Sequence, residues 1–282
     1  MARDFVEYVQ SQRLDWTPGL PGHGTVAGVE HKLLSVDDES GAATALVRFD
    51  AAGGSATCGT LAHDEAFLVL GGTLEVDDVV YRHLAYAHLP VGHAVRRRVA
   101  GPRGAVVIAF YSAAPDYGRS GDGGGDPTRL VTHVDPYESR WEAIRKEGMP
   151  PGVRRLGLFD DPATGDQTWL LGAAPIRSGT RAHRHGEVEE MFLIEGSEIA
   201  PVGRMEAGAY FWRPPGVFHG PFGTPLPGKL ELFRSIGGPL TTEYFEHDVP
   251  FDWYPDSNPM LPPNHDHTRL AHAQTRIERD DY

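Results

Sequence analysis

At 282 residues and 40% hydrophobic content, the chain is long enough for two ordinary domains and can fill a real core, which excludes general disorder. Its 39 acidic against 26 basic residues leave a formal charge of −13, the wrong sign for neutralising nucleic-acid phosphates. The single Cys58 excludes an internal disulfide, and no run of 18 apolar residues offers a membrane span, so a cytoplasmic protein without nucleic-acid or membrane partners is expected.

The opening residues carry charge at Arg3, Asp4 and Glu7 and lack the apolar centre of a signal peptide. Abundant glycine (34) and proline (23) favour short strands joined by tight turns, and an all-β fold is expected. Apolar runs of strand length follow at Ala66–Leu70 and Val106–Phe110, then at Met191–Ile194 and Lys229–Phe233. These runs belong to a repeat. Shifting the chain by 124 residues places Glu65 on Glu189, Gly72 on Gly196, Pro90 on Pro214 and Gly92 on Gly216. The register extends back to Gly28/Gly152 and forward to Pro115/Pro239 without drift. Two copies of one unit are implied, about residues 20–116 and 145–240, each of a size that suits a sandwich or small barrel.

Between the copies, Ser120–Asp126 reads SGDGGGD, a low-complexity linker. The domains expected are an N-terminal unit over 1–118, a linker and lead-in over 119–150, a second unit over 151–240 and an extension over 241–282. Within the lead-in, Trp141 and Ile144 stand three apart, and a short helix is expected over Asp135–Glu147. The extension has no counterpart in copy one. Its aromatic first part is expected to pack back on a barrel or serve as a lid. Its polar end, with His265, His267 and His272, reads as a solvated tail more readily than as a second metal site.

Copy two carries His183-x-His185, Glu189 four residues on, Gly196 seven further, then Gly208, Pro214, Gly216 and His219. On a strand, residues two apart share a face, so His183 and His185 enter one interior. Three neutral imidazoles and a carboxylate suit Fe(II), Mn(II), Ni(II), Co(II) or Zn(II) and leave coordination positions open. These eight positions, spread over about 40 residues, resemble the cupin superfamily. Two of that family's positions differ here, at Arg177 and Gly223, and neither is a ligand. The resemblance implies tandem cupin barrels of the jelly-roll type and a metal held by His183, His185, Glu189 and His219. Asp15-Trp16, the turn Asp37–Gly41 and Arg213-Pro214-Pro215-Gly216 look like the cupin module of zinc-binding anti-sigma factors and its dioxygenase relatives.

The matching positions in copy one are Gly59, Leu61, Glu65 and Val95, so only the glutamate remains. Copy one is expected to be structural or dimer-forming, and a displaced site using His63 and His93 is the alternative. In copy two, Arg181 precedes His183 by two and either faces the metal cavity, where it would pair with a substrate carboxylate or enolate, or lies in solvent. Tyr210, Trp212, Phe218 and Trp169 are candidates for core or cavity wall, and alternation makes Met191 and Leu193 inward neighbours of Glu189.

Two-barrel cupins that this chain resembles include quercetin dioxygenase-like and oxalate decarboxylase-like enzymes. The resemblance implies one metal per chain, Fe(II) foremost, in a dioxygenase that cleaves a carbon–carbon bond of a diketone, hydroxyketone or enol. Glu189 and Arg181 are its candidate catalytic residues, and substrate and dioxygen its partners, in a monomer or homodimer. A non-oxidative isomerase, cyclase or decarboxylase using Zn, Mn or Ni, and a metal-anchored binding protein, are the alternatives.

Overall fold

The computed structural model describes residues 3–51, 53, 57–118, 124–145 and 151–255. Strands dominate, and among the described residues the single helical element is the 3-10 turn Ser11–Arg13. The chain divides into two compact units. Of the described residues, the first takes 3–4 and Leu14–Ser139, and the second takes Phe5–Arg13 and residues from 140 to 255.

The first unit's main sheet runs Val131–Val134, Tyr86–Leu89, Glu65–Val76, Arg98–Tyr111, Ala43–Phe49, Val29–Val36 and Thr17–Pro18, every pair antiparallel. Its register obeys the period of two. Val107 lies opposite Val47 on one side and Val69 on the other, and Ala109 opposite Ala45 and Phe67. All six are buried in one cluster, because residues two apart share the inward face.

The second unit repeats this plan. Val153–Asp160 and Gln167–Ala173 begin and end 124 residues after Val29–Val36 and Ala43–Phe49. Its main sheet runs Val6–Gln10, Ala209–Arg213, Val188–Ala200, Lys229–Ile236, Gln167–Ala173, Val153–Asp160 and Glu142–Ala143. Three inward rows cross these strands. Gln167, Ser235, Glu189 and Arg213 form one, Trp169, Phe233, Met191 and Phe211 the next, and Arg155, Leu171, Glu231 and Leu193 the third. Gly196 turns the long central strand with a φ of +80°, and a side chain there would meet the carbonyl oxygen of Gly228 at 1.8 Å. Gly72, 124 residues earlier, has a φ of +67° and approaches Gly104 in the same way.

Two expectations change. The first strand, Val6–Gln10, joins the second unit's sheet, opposite Ala209–Arg213, while Val131–Val134 joins the first unit's, opposite Tyr86–Leu89. The expected boundary at 118 therefore runs through a reciprocal strand exchange that no local composition marks. The helix expected over Asp135–Glu147 is also absent from the described part, 135–145. Asp135 instead anchors a turn, its side chain accepting from the Tyr137 amide at 2.8 Å, and Glu142–Ala143 extends the sheet beside Val153–Asp160. The Ile144 amide continues that pairing with the Val153 carbonyl at 3.0 Å, which outweighs two apolar residues at helical spacing. Of the linker, residues 120–123 lie outside the described residues, as do His265, His267 and His272.

Candidate metal centre

His183 and His219 face each other across an isolated antiparallel bridge and exchange both backbone hydrogen bonds, each 2.9 Å. This pairing, rather than two full strands, draws the distant His219 to the His183-x-His185 segment. Their rings lie 4.4 Å apart, with His185 5.0 Å from His219 and 5.1 Å from His183. One ligand atom from each of the three lies within 4.8 Å of the others, the one such group found among the described residues. Glu189, on the central strand, closes the set, with carboxylate oxygens 3.4 Å from His185 Nε2 and 3.3 Å from His219 Nε2.

The backbone sets which nitrogen faces inward. His185 Nδ1 donates to the Thr241 carbonyl, and His219 Nδ1 donates to the Val217 carbonyl at 2.9 Å. A carbonyl accepts only from N–H, so the neutral ring keeps its lone pair on Nε2. Both Nε2 atoms are buried and make no hydrogen bond. Burial lowers His183 to about 4 and His219 to about 3, against the pull of the Glu189 carboxylate. Burial also acts on His185, but Glu189 and the Thr241 carbonyl outweigh it and the pKa is raised. Glu189 resists burial through its histidine neighbours and Arg213, which hold it well below the usual carboxylate range. Two bare, inward imidazole nitrogens beside a third imidazole and an ionised carboxylate fit a first-row divalent ion.

Arg213 supports this set. It is 1% exposed, donates from Nη1 to Glu189 at 3.1 Å and from Nη2 to Glu7 at 2.8 Å, and lies 3.6 Å from the Phe211 ring centroid. In the sequence it stands out only within the turn Arg213-Pro214-Pro215-Gly216. Its position directly across from Glu189 is a matter of register, which chain spacing does not carry. Arg181 stands at the rim, 45% exposed, with Nε 3.7 Å from Asp248. Both expected orientations are partly realised, since it also lines the cavity.

That cavity holds about 280 Å³. Of the expected aromatics, Trp169 lines it, whereas Tyr210 faces the other side of its strand and donates to Glu190 at 2.7 Å. Trp212 shares that outer alternation, and Phe218 is half exposed against Phe245. Met191 and Leu193 are fully buried in the adjoining core, and the apolar wall comes instead from Phe211, Phe222, Phe233 and Leu171.

The segment after residue 240 supplies more than packing. Glu243–Tyr244 pairs with His183–Arg184, the Phe245 amide donates to Ala182 and the Val249 amide to Thr180, so this stretch runs antiparallel along the metal segment. Tyr244 meets the His183 ring at 5.6 Å. Contrary to expectation, copy one has a counterpart to this pairing, Tyr117–Gly118 beside Gly59–Leu61. There Glu65 is enclosed without imidazole partners like those of Glu189. Arg98 Nη2 lies 2.8 Å from it, Tyr117 donates to it at 2.9 Å, and His63 stands 3.8 Å away with Nδ1 taken by the Asp116 amide. Among the described residues, His63 and His93 form no ligand group.

Residues 131–232, which contain all four candidate ligands, match the family model of the ChrR cupin-like domain. No curated protein matches by sequence. Among solved structures, a "putative dioxygenase" of Nostoc punctiforme PCC 73102 matches with a TM-score of 0.65 at 17% identity over 83% of this chain and 82% of its own. YlbA of Escherichia coli matches at 0.58 and 14%, over 83% and 92% of the two chains. An oxalate decarboxylase of Bacillus subtilis matches at 0.52 and 12%, over 86% and 80%. The chain has the cupin fold. At these identities the likeness shows architecture alone, and among the described residues the one clustered histidine group stands in the second unit.

Proposed function

We propose that this cupin is an enzyme holding one divalent metal per chain, an Fe(II) dioxygenase that cleaves a carbon–carbon bond in a diketone, hydroxyketone or enol. The observation that supports it is the inward pair of bare Nε2 atoms at His185 and His219, beside His183 and Glu189, opening on an aromatic cavity. An ion held there would supply Lewis-acid stabilisation of an enolate and, as Fe(II), a redox partner for dioxygen.

The chain's own residues set the conditions. His185, His219 and Arg213 keep Glu189 ionised and Arg213 bonds it in place, which favours Glu189 as a holder of the ion over a moving base. Thr241 and Val217 lock two imidazoles in one tautomer. Trp169, Phe211, Phe222 and Phe233 exclude water from the cavity and so strengthen its electrostatics. Burial raises the Tyr244 hydroxyl pKa, leaving an O–H beside His183 that can donate to a substrate oxygen. Arg181 at the rim carries the charge that would meet an entering enolate.

The test is anaerobic purification, iron loading and oxygen uptake over a panel of diketones and enols. Oxygen consumption dependent on His183 and His219 is expected. None across the panel would overturn the dioxygenase. Turnover without oxygen would move the site to an isomerase, cyclase or decarboxylase using Zn, Mn or Ni, and a ligand-induced thermal shift without turnover to a binding protein.

A further inference from the structure

The three inward rows of the second unit give the cavity two polar ends. Glu189 and Arg213 mark the metal end. Glu231 lies four residues before Ser235, which is opposite Glu189, and so about 13 Å further along the strands. Between them stands the aromatic row, where Trp169 and Phe233 stack at 5.4 Å. The far end is built as a polar group with unmet capacity. Lys229 Nζ bridges Glu198 and Glu231, the latter at 2.9 Å. Glu231 is 0% exposed, yet its second oxygen, Oε2, has no hydrogen-bond partner. Arg155, opposite Leu171 in the same row, lies over the Trp169 ring at 4.5 Å, and its Nε is likewise buried without a partner.

The sign of the missing partner follows from charge. Arg155, Arg177, Arg181, Arg213 and Lys229 line the cavity with Glu189, Glu198 and Glu231, in a chain whose net charge is −13; Arg213 and Arg181 also meet Glu7 and Asp248. Burial and the neighbouring Glu198 carboxylate push the Glu231 pKa upward, toward the protonated form that can donate from its unpartnered Oε2. The Arg155 N–H is a donor too. A buried guanidinium N–H without a partner, facing the same cavity as the unpartnered Glu231 Oε2, calls for an anionic acceptor.

We propose that the cavity takes an elongated oxo- or enol-carboxylic acid, its oxygenated end at the histidine cluster and its carboxylate at the far end with Arg155 and Glu231. This rests on the metal-site reading above and names its substrate class. Trp169 and Phe233 would face the apolar middle of such a molecule.

The test uses binding, which requires no turnover. Zn(II)-loaded protein is titrated calorimetrically with 4-(3-oxobutanoyl)benzoate and with its methyl ester, which share the diketone and differ in the far charge. The acid is expected to bind about tenfold or more tightly than the ester. Arg155→Met should bring the two within about twofold while leaving zinc content unchanged, and Arg155→Lys should restore part of the preference. Glu231→Gln, which keeps a donor at the same place, should retain the preference, and Glu231→Leu should weaken it. Equal binding of acid and ester, binding of neither, or a preference untouched by both Arg155→Met and Glu231→Leu would overturn the carboxylate end. Tight acid binding with no oxygen uptake by the iron form would instead sink the dioxygenase and leave this inference standing.

Discussion

Glu65 and Glu189 occupy the same place in the repeat, and each meets an arginine, but the two arginines come from different strands. Arg213 lies directly across from Glu189, at the position that holds Leu89 in the first unit, whereas Arg98 occupies the position that holds Phe222 in the second. The guanidinium of Arg213 thus leaves room for three imidazoles, while Arg98 and Tyr117 enclose Glu65. Replacing Arg213 by leucine should weaken metal binding roughly 10–100-fold with the four ligands intact, as measured by competition with a chelating dye. In the first unit, Arg98→Leu leaves a buried carboxylate uncompensated and should cost about 3–5 kcal/mol in urea unfolding, a loss that Glu65→Leu in the same chain should largely recover. Burial opposes ionisation of Glu65, but Arg98 and His63 outweigh it and bring the pKa to about 2 from 4.5. On acidification the unfolded chain takes up this proton first. The pair's stabilisation, about 3 kcal/mol, is therefore present above pH 4.5 and lost as pH falls toward 2, which acid unfolding of Glu65→Leu against the parent chain would read out. The four candidate ligands were legible in the sequence because their identity and spacing lie within about 40 residues. Arg213 was visible only as part of a turn, since its role depends on which residue lies across the sheet.

Short elements decide the geometry here more than long ones. The strand bearing His183 has two residues, and it is held on one side by the bridge to His219 and on the other by Glu243–Tyr244. The long strands were legible as apolar runs, and their repeat at 124 residues recurs in the strand bounds. Two-residue strands leave no periodic signal, which is why the extension, expected only to pack or to cover, did not show its pairing with the metal segment, and why Asp135–Glu147 read as a helix. The extension has a chemical task that can be tested. Ending the chain after Leu240 removes the carbonyl that holds His185 Nδ1, frees that ring to change tautomer, and exposes the edge of the His183 strand. Co(II) titration followed by visible absorption should show weaker binding by roughly 10–100-fold for the shortened chain, with the first unit's unfolding transition unchanged. Full-strength Co(II) binding would show that the extension only covers the site.

At the scale of the whole molecule, the repeat furnishes one frame twice, and among the described residues histidines gather into a ligand group in one copy. Metal analysis of the purified chain should return one ion per chain, falling to none in His183→Ala or His219→Ala and staying at one in Glu65→Ala. Two ions per chain, or retention in both histidine variants, would place the site elsewhere. The exchange of first strands has its effect in time. Residues 6–10 pair with 209–213, which is made about 200 residues later. At bacterial or eukaryotic synthesis rates of roughly 5–20 residues per second, that is a wait of about 10–40 s. Through that interval the strand carrying Glu7 has no sheet to join, and Arg213 has no counter-ion from it until the second unit's sheet is nearly finished. The metal end of the cavity is thus assembled from parts of the chain made about 200 residues apart, and synthesis stalled between them would leave the first unit built and the site unmade.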